Sequence, residues 1–172
     1  MSYETVDGLA RIAATAAVLA GGRSMRMGTD KALLPLEGKP MVVRQVDLLQ
    51  TALERVLVVT NSETTRETLG SVPSVSDLIP DQGPIGGLHA ALSAAPTEWI
   101  LAVGCAMPYL HLGFARHLFE LTEGFDIVAP SSGELLETMH AYYSRRCLPA
   151  IERQISRGER KLIRFFHDLR VR

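Results

Sequence analysis

Apolar residues are distributed along this chain in two alternating patterns. Short continuous apolar runs occur at Ala16–Ala20, Val56–Thr60, Trp99–Val103 and Phe125–Ala129. Continuous runs of this length, rich in β-branched residues, predict strands buried on both faces. Between them, apolar residues recur every three or four positions. Val42, Val46, Leu49 and Leu53 predict one helical face; Leu88, Leu92 and Ala95 predict a second; Leu148, Ile151 and Ile155 predict a third, with Pro149 acceptable in its first turn. Alternating strands and helices imply an α/β fold in three layers, with a mainly parallel sheet between helices. In such sheets ligands bind outside the carboxyl ends of the strands.

The first strand empties into Leu19-Ala20-Gly21-Gly22-Arg23-Ser24-Met25-Arg26-Met27-Gly28-Thr29-Asp30-Lys31. Glycines let backbone N–H groups approach an anion, and Arg and Lys neutralise it, so this loop suits a nucleoside triphosphate. It matches neither a Walker loop nor a dinucleotide fingerprint, because Gly28 is followed by Thr29-Asp30-Lys31 and the glycine spacing differs. A second glycine-rich segment, Asp77 to Leu88, carries Gly83-Pro84-Ile85-Gly86-Gly87. It reads as a tight turn opening a helix, with backbone N–H groups directed outward. The simpler reading of Asp77 and Asp81 is that each caps a turn.

Composition narrows the function. The chain has 172 residues, 47% of them hydrophobic, enough for one domain spanning residues 1–172, with 1–12 as a flexible or helical lead-in. The formal net charge of −1 argues against a nucleic-acid partner. No apolar run approaches the ~20 residues that span a bilayer. The polar N-terminus is unlike a signal peptide, and Cys105 and Cys147 lack metal or redox spacing, so a cytoplasmic location is expected. His89, His111, His117 and His167 show no ligand spacing, and no G-x-S-x-G elbow surrounds Ser24.

The run L-A-G-G-x-x-x-R-M-G-x-D-K, continued by Leu33-Leu34-Pro35-Leu36 and Gly38-Lys39-Pro40, resembles the molybdenum cofactor guanylyltransferase family of nucleotidyltransferases. The resemblance implies a Rossmann-like nucleotidyltransferase fold and transfer of GMP from GTP to the terminal phosphate of the molybdopterin cofactor, with pyrophosphate released. It implies that Gly21 and Gly22 cradle the phosphates, that Arg23, Arg26 and Lys31 neutralise them, and that Asp30 holds Lys31 charged and aimed. Leu19, Ala20, Asn61, Asp77, Gly83, Pro84, Gly86 and Gly87 complete the implied nucleotide site. His140, within Glu137–Tyr143, and Arg160 and Lys161, within Arg157-Gly158-Glu159-Arg160-Lys161, are implied to face the cofactor substrate. Alternative readings are a structural histidine and a solvated basic helix face.

The family pattern C-D-M-P appears here as Cys105-Ala106-Met107-Pro108. The resemblance implies Mg2+ held by the aspartate of that pattern, and a methyl group cannot ligate a hard cation. Ala106 fits either a natural member without the ligand or a replaced aspartate. Impaired transfer is the expectation in both cases. The family's late N-x-N-T-P-E-D segment does not occur before Arg172, so an element supporting the acceptor site is expected to be missing. Recipient molybdoenzymes or their chaperones are the implied further partners. Cytidylyl transfer to the same cofactor, a non-catalytic nucleotide-binding member and, less readily at this length, a sugar-nucleotide pyrophosphorylase share the first loop.

Overall fold

The computed structural model of the chain describes residues 10–21, 30–107, 109–133 and 135–172. In chain order the elements are β1 (Ile12–Leu19), β2 (Pro35–Leu36), β3 (Lys39–Pro40), α1 (Met41–Gln50), β4 (Leu53–Val59), α2 (Glu63–Leu69) and β5 (Ser74–Val75). They continue with α3 (Pro84–Ala94), β6 (Trp99–Gly104), α4 (Leu112–Glu120), β7 (Ile127–Val128), β8 (Ser131–Ser132), β9 (Leu135–Leu136), β10 (His140–Ser144) and α5 (Leu148–Ser156). The main sheet runs β5-β4-β1-β6-β10-β7. β1 lies parallel to β4 and β6, and β10 is antiparallel to both β6 and β7. β2–β3 and β8–β9 form two small hairpins.

Alternation along β1 explains the three layers. Ala17 and Leu19 join Leu88, Leu92 and Ile151 of α3 and α5 on one face. Ala16 and Val18 join Val46, Leu49 and Leu118 of α1 and α4 on the other. Two elements depart from the periodicity. Leu53 continues the helical spacing from Leu49, yet it opens β4, because α1 ends at Gln50 and Ala52 N–H bonds back to Leu49 O. Ile12 opens β1 rather than closing a lead-in, paired with Leu53. Residues 1–9 of that expected lead-in lie outside the described residues.

The strand directions bring Leu19, Val59, Val75 and Gly104 to one edge of the sheet. Because β10 is antiparallel, its first residue, His140, arrives there too, opposite Val103. No helix among the described residues is long and apolar enough to cross a membrane.

The far border of the sheet is closed by the chain's last residues. Asp126 and Ile127 N–H donate to Arg170 O, Ala129 N–H donates to Arg172 O, and Arg172 N–H donates to Ile127 O. The buried Asp126 carboxylate accepts from Arg170 at 3.1 and 3.2 Å and pairs with Arg146 at 3.2 Å. The Arg170 bonds hold this carboxyl below its ordinary value despite burial. A depressed carboxyl stabilises the fold above the unfolded-state value and loses that contribution as pH falls through the folded one. Asp126→Ala is therefore expected to lower stability near pH 7 by about 2 kcal/mol. The deficit should shrink on acidification below pH 4, as read by denaturant melts across pH.

Candidate functional site

The loops leaving the carboxyl edge are fixed to one another by side chains. Asn61 follows β4 and Asp77 follows β5. The Asn61 Nδ2 group donates to Asp77 Oδ2 at 2.9 Å, and the Asp77 N–H donates to Asn61 Oδ1 at 3.1 Å. Arg66 of α2 braces the same two loops through Thr60 O at 2.8 Å and Ser76 Oγ. The Asn61–Asp77 pair therefore faces solvent with a set geometry.

α3 starts beside this pair. Its N-cap, Gly83, has φ +66° and ψ −147°, a backbone conformation that only glycine adopts without strain. A Cβ on Gly86 would sit 2.9 Å from Gln82 Cβ, so the turn closes tightly. A Cβ on Gly87 would lie 3.6 Å from Leu19 Cδ2 and 3.8 Å from Asp77 Oδ1, which puts Leu19, Asp77 and Gly87 together. Gly86 and Gly87 N–H both donate to Gly83 O and close the first helical turn. The Asn61–Asp77 pair stands beside that turn.

Ala20 N–H bonds Val59 O, and Gly21 follows it at the surface. The expected phosphate contacts Gly22, Arg23 and Arg26 lie outside the described residues, as does Pro108. Lys31 is exposed and opens a 3-10 turn, Lys31–Leu33. Asp30 caps that turn by accepting from Ala32 N–H at 3.0 Å, and its other oxygen accepts from Thr65 Oγ1 of α2 at 2.6 Å. Burial pushes its carboxyl up, but the bonds from Thr65, Ala32 and Ser62 outweigh this and leave it lowered. Asp30 thus ties the Lys31 turn to α2. Among the described residues it forms no ion pair with Lys31, which corrects the expected aiming role.

The turn after β6 is closed by Met107 N–H on Gly104 O at 3.1 Å, with Cys105 and Ala106 at its centre. Gln45 of α1, almost fully buried, donates to Gly104 O at 3.0 Å and Met107 O at 2.8 Å. Ala106 is exposed at the tip. Burial, then the nearby Asp30 charge, pushes the Cys105 thiol up to about 12, so it stays protonated and is no nucleophile at neutral pH.

A groove of about 390 Å3 opens on the α3–α5 face. Arg160 and Lys161 line it together with Pro84, Leu135, Leu162 and Ile163. Pro84 is the first residue of α3, so this cationic, apolar-walled groove reaches the start of the helix whose Gly87 lies beside Asp77. His140 is not part of it. It shares the opposite face with Tyr142 and packs edge-on to Phe114 of α4 at 5.6 Å. Burial lowers its imidazole against a smaller pull from Glu137, and its Nε2 has no hydrogen-bond partner among the described residues.

The MobA-like NTP transferase domain family matches residues 16–171. The chain belongs to this family. It is 38% identical over 158 residues to a probable molybdenum cofactor guanylyltransferase of Pelotomaculum thermopropionicum, covering 92% of this chain and 77% of that one. It is 34% identical to the molybdenum cofactor guanylyltransferase of Syntrophotalea carbinolica, covering 90% and 74%. Among solved structures, molybdopterin-guanine dinucleotide biosynthesis protein A of Archaeoglobus fulgidus superposes with a TM-score of 0.78 at 26% identity, covering 91% of this chain and 80% of that one.

Family membership makes this chain a nucleotidyltransferase and raises the question of Mg2+. The described residues do not fit that ion. Ala106, exposed at the tip of the β6 turn, offers no oxygen. No group of three acidic, His or Cys ligands gathers among the described residues. Sequence reasoning missed Gln45, Thr65 and Arg66 in this NTP transferase. Each is polar and lies in a helical segment, where it reads as surface until its loop partners are known.

Proposed function

We propose that the chain transfers GMP from GTP to the terminal phosphate of molybdopterin, at low efficiency while Ala106 stands in the β6 turn. One observation carries this reading. The groove that Arg160 and Lys161 line reaches Pro84 at the start of α3, and Gly87 of the same helix turn lies beside Asp77, so a nucleotide held by Asn61 and Asp77 and an anionic, flat acceptor in the groove would approach one another across the first turn of α3. The paired Asn61 and Asp77 offer an amide and a carboxylate, a fit for the donor edge of guanine. Arg160 and Lys161 suit a phosphate, and the leucine and isoleucine walls suit a ring system.

An oxygen of the acceptor phosphate attacks the α-phosphorus of GTP. The bond from that phosphorus to the bridging oxygen of the β-phosphate breaks, and pyrophosphate leaves with the electron pair. No protein nucleophile enters, in keeping with a protonated Cys105. Catalysis consists of positioning and charge stabilisation, with Lys31 beside the α-phosphate, and Arg23 and Arg26 toward the leaving group. The reaction belongs in the cytoplasm, in keeping with two unbridged, buried cysteines. A second reading has an observation of its own, Ala106 in the β6 turn: a chain without an oxygen ligand there would hold nucleotide or cofactor without transferring it.

Thermal unfolding with each nucleotide tests base choice. At a hundredfold excess over Kd, a ligand bound only to the folded state adds about 2.7 kcal/mol. GTP is expected to raise Tm and CTP at the same concentration to leave it unchanged. A larger shift with CTP would select cytidylyl transfer, and equal shifts would contradict a base-selective site. Asp77→Ala is expected to weaken GTP binding about 10- to 100-fold, the size of a lost charge-assisted hydrogen bond.

A further inference from the structure

Gln154 lies on the buried stripe of α5 with Ala150 and Ile151, where an apolar side chain would pack as well. Burying a carboxamide costs free energy unless it is bonded. Its Oε1 has no partner among the described residues, so packing does not account for it. Its Nε2 accounts for it. That group donates both hydrogens to backbone carbonyls of the basic loop, Glu159 O at 3.2 Å and Lys161 O at 2.7 Å. Glu159 N–H returns a bond to Gln154 O at 3.3 Å. Residues 157–161 are all exposed, and the chain next enters the core at Leu162. Gly158, at φ +72°, makes the reversal that carries the loop back over α5. The loop that presents Arg160 and Lys161 therefore has no apolar anchor of its own between Gly158 and Leu162.

We infer that Gln154 is a positioning residue for the acceptor groove: its buried carboxamide fixes the Glu159–Lys161 backbone so that the two cations face the groove they line. This rests on the groove's reading as the acceptor site. Gln154 touches no ligand and acts through Arg160 and Lys161. The arrangement parallels Gln45, whose amide spans two carbonyls of the β6 turn, so each of the two loops is held from beneath by one glutamine.

Equilibrium titration with metal-free molybdopterin as the probe, and GTP as the control, tests this. Gln154→Met keeps the volume and removes the donor. It is expected to raise the Kd for molybdopterin about tenfold while the GTP Kd stays within about twofold. In an Arg160→Ala, Lys161→Ala chain, the same substitution should change nothing further, an outcome that a general packing role would not give. Unchanged molybdopterin affinity in Gln154→Met overturns the inference. Equal loss of GTP affinity overturns it too. If Gln154→Met does not fold, Gln154→Asn, which keeps the amide on a stem one methylene shorter, should bind molybdopterin less tightly than the unaltered chain; failure of that chain to fold as well makes Gln154 a folding residue and ends the proposal. No molybdopterin binding by the unaltered chain removes the acceptor reading, and this inference with it.

Discussion

Ala106→Asp is expected to raise the rate of GMP transfer by ~10²–10³ in the presence of Mg2+, the range associated with one strong electrostatic contact in a transition state. The structure is prepared for the change. The Gly104–Met107 turn is closed by its own hydrogen bond and clamped by Gln45 on both carbonyls, so residue 106 has a defined place at the carboxyl edge. Position 106 is exposed, and a carboxylate there requires no desolvation. Stability should therefore change by no more than about 0.5 kcal/mol. The substitution supplies, at an exposed turn, the carboxylate oxygen that a hard divalent cation requires and that Ala106 lacks. A direct Mn2+ titration should find a site in the substituted chain and a much weaker one in the parent. Equal turnover by the two chains would contradict this account of Ala106.

The second large effect is expected at Lys31. Lys31→Met, made in the Ala106→Asp chain so that rates are measurable, should lower kcat by ~10²–10³ and leave Tm unchanged. The ammonium is exposed at the start of a short turn, and Asp30 spends its two oxygens on Ala32 N–H and Thr65 Oγ1 rather than on Lys31. The charge is thus free of that neighbour and available to a phosphate. Asp30 stabilises the turn, so Asp30→Asn should act through turn geometry and cost less than Lys31→Met. Rates for Lys31→Met within about threefold of its parent would remove Lys31 from the transition state.

Much of the fold was legible because burial on both faces leaves a continuous apolar run. β1, β4 and β6 were readable for that reason, and the helices at Val42, Leu88 and Leu148 showed their spacing. α2 was not legible: Glu63-Thr64-Thr65-Arg66-Glu67-Thr68-Leu69 has no apolar stripe, and its start rests on the Ser62 cap of Thr65 N–H. α4 starts with a His111 side chain capping Phe114 N–H, a residue that gives no usual helix-start signal.

The site divides in the same way. The glycine-rich segments and the basic run could be read one after another along the chain. Their three-dimensional relations could not. The pairing of Asn61 with Asp77 spans 16 positions, and the placement of His140 on the face away from Arg160 and Lys161 depends on the register of β10, which sets His140 opposite Val103. The two clamping glutamines are hidden for a physical reason. A polar side chain inside an amphipathic helix reads as surface, and only the carbonyls it meets, in a distant turn for Gln45 and in the next loop for Gln154, explain its burial.

The most direct test of guanylyl transfer follows the α-phosphate itself. GTP labelled at the α-phosphorus is incubated with molybdopterin, Mg2+ and the Ala106→Asp chain, and the label and pyrophosphate are quantified together. The account predicts label in a molybdopterin guanine dinucleotide, one pyrophosphate released for each dinucleotide formed, and no product from CTP. Label recovered in free GMP, or a dinucleotide formed from CTP in preference to GTP, would contradict it.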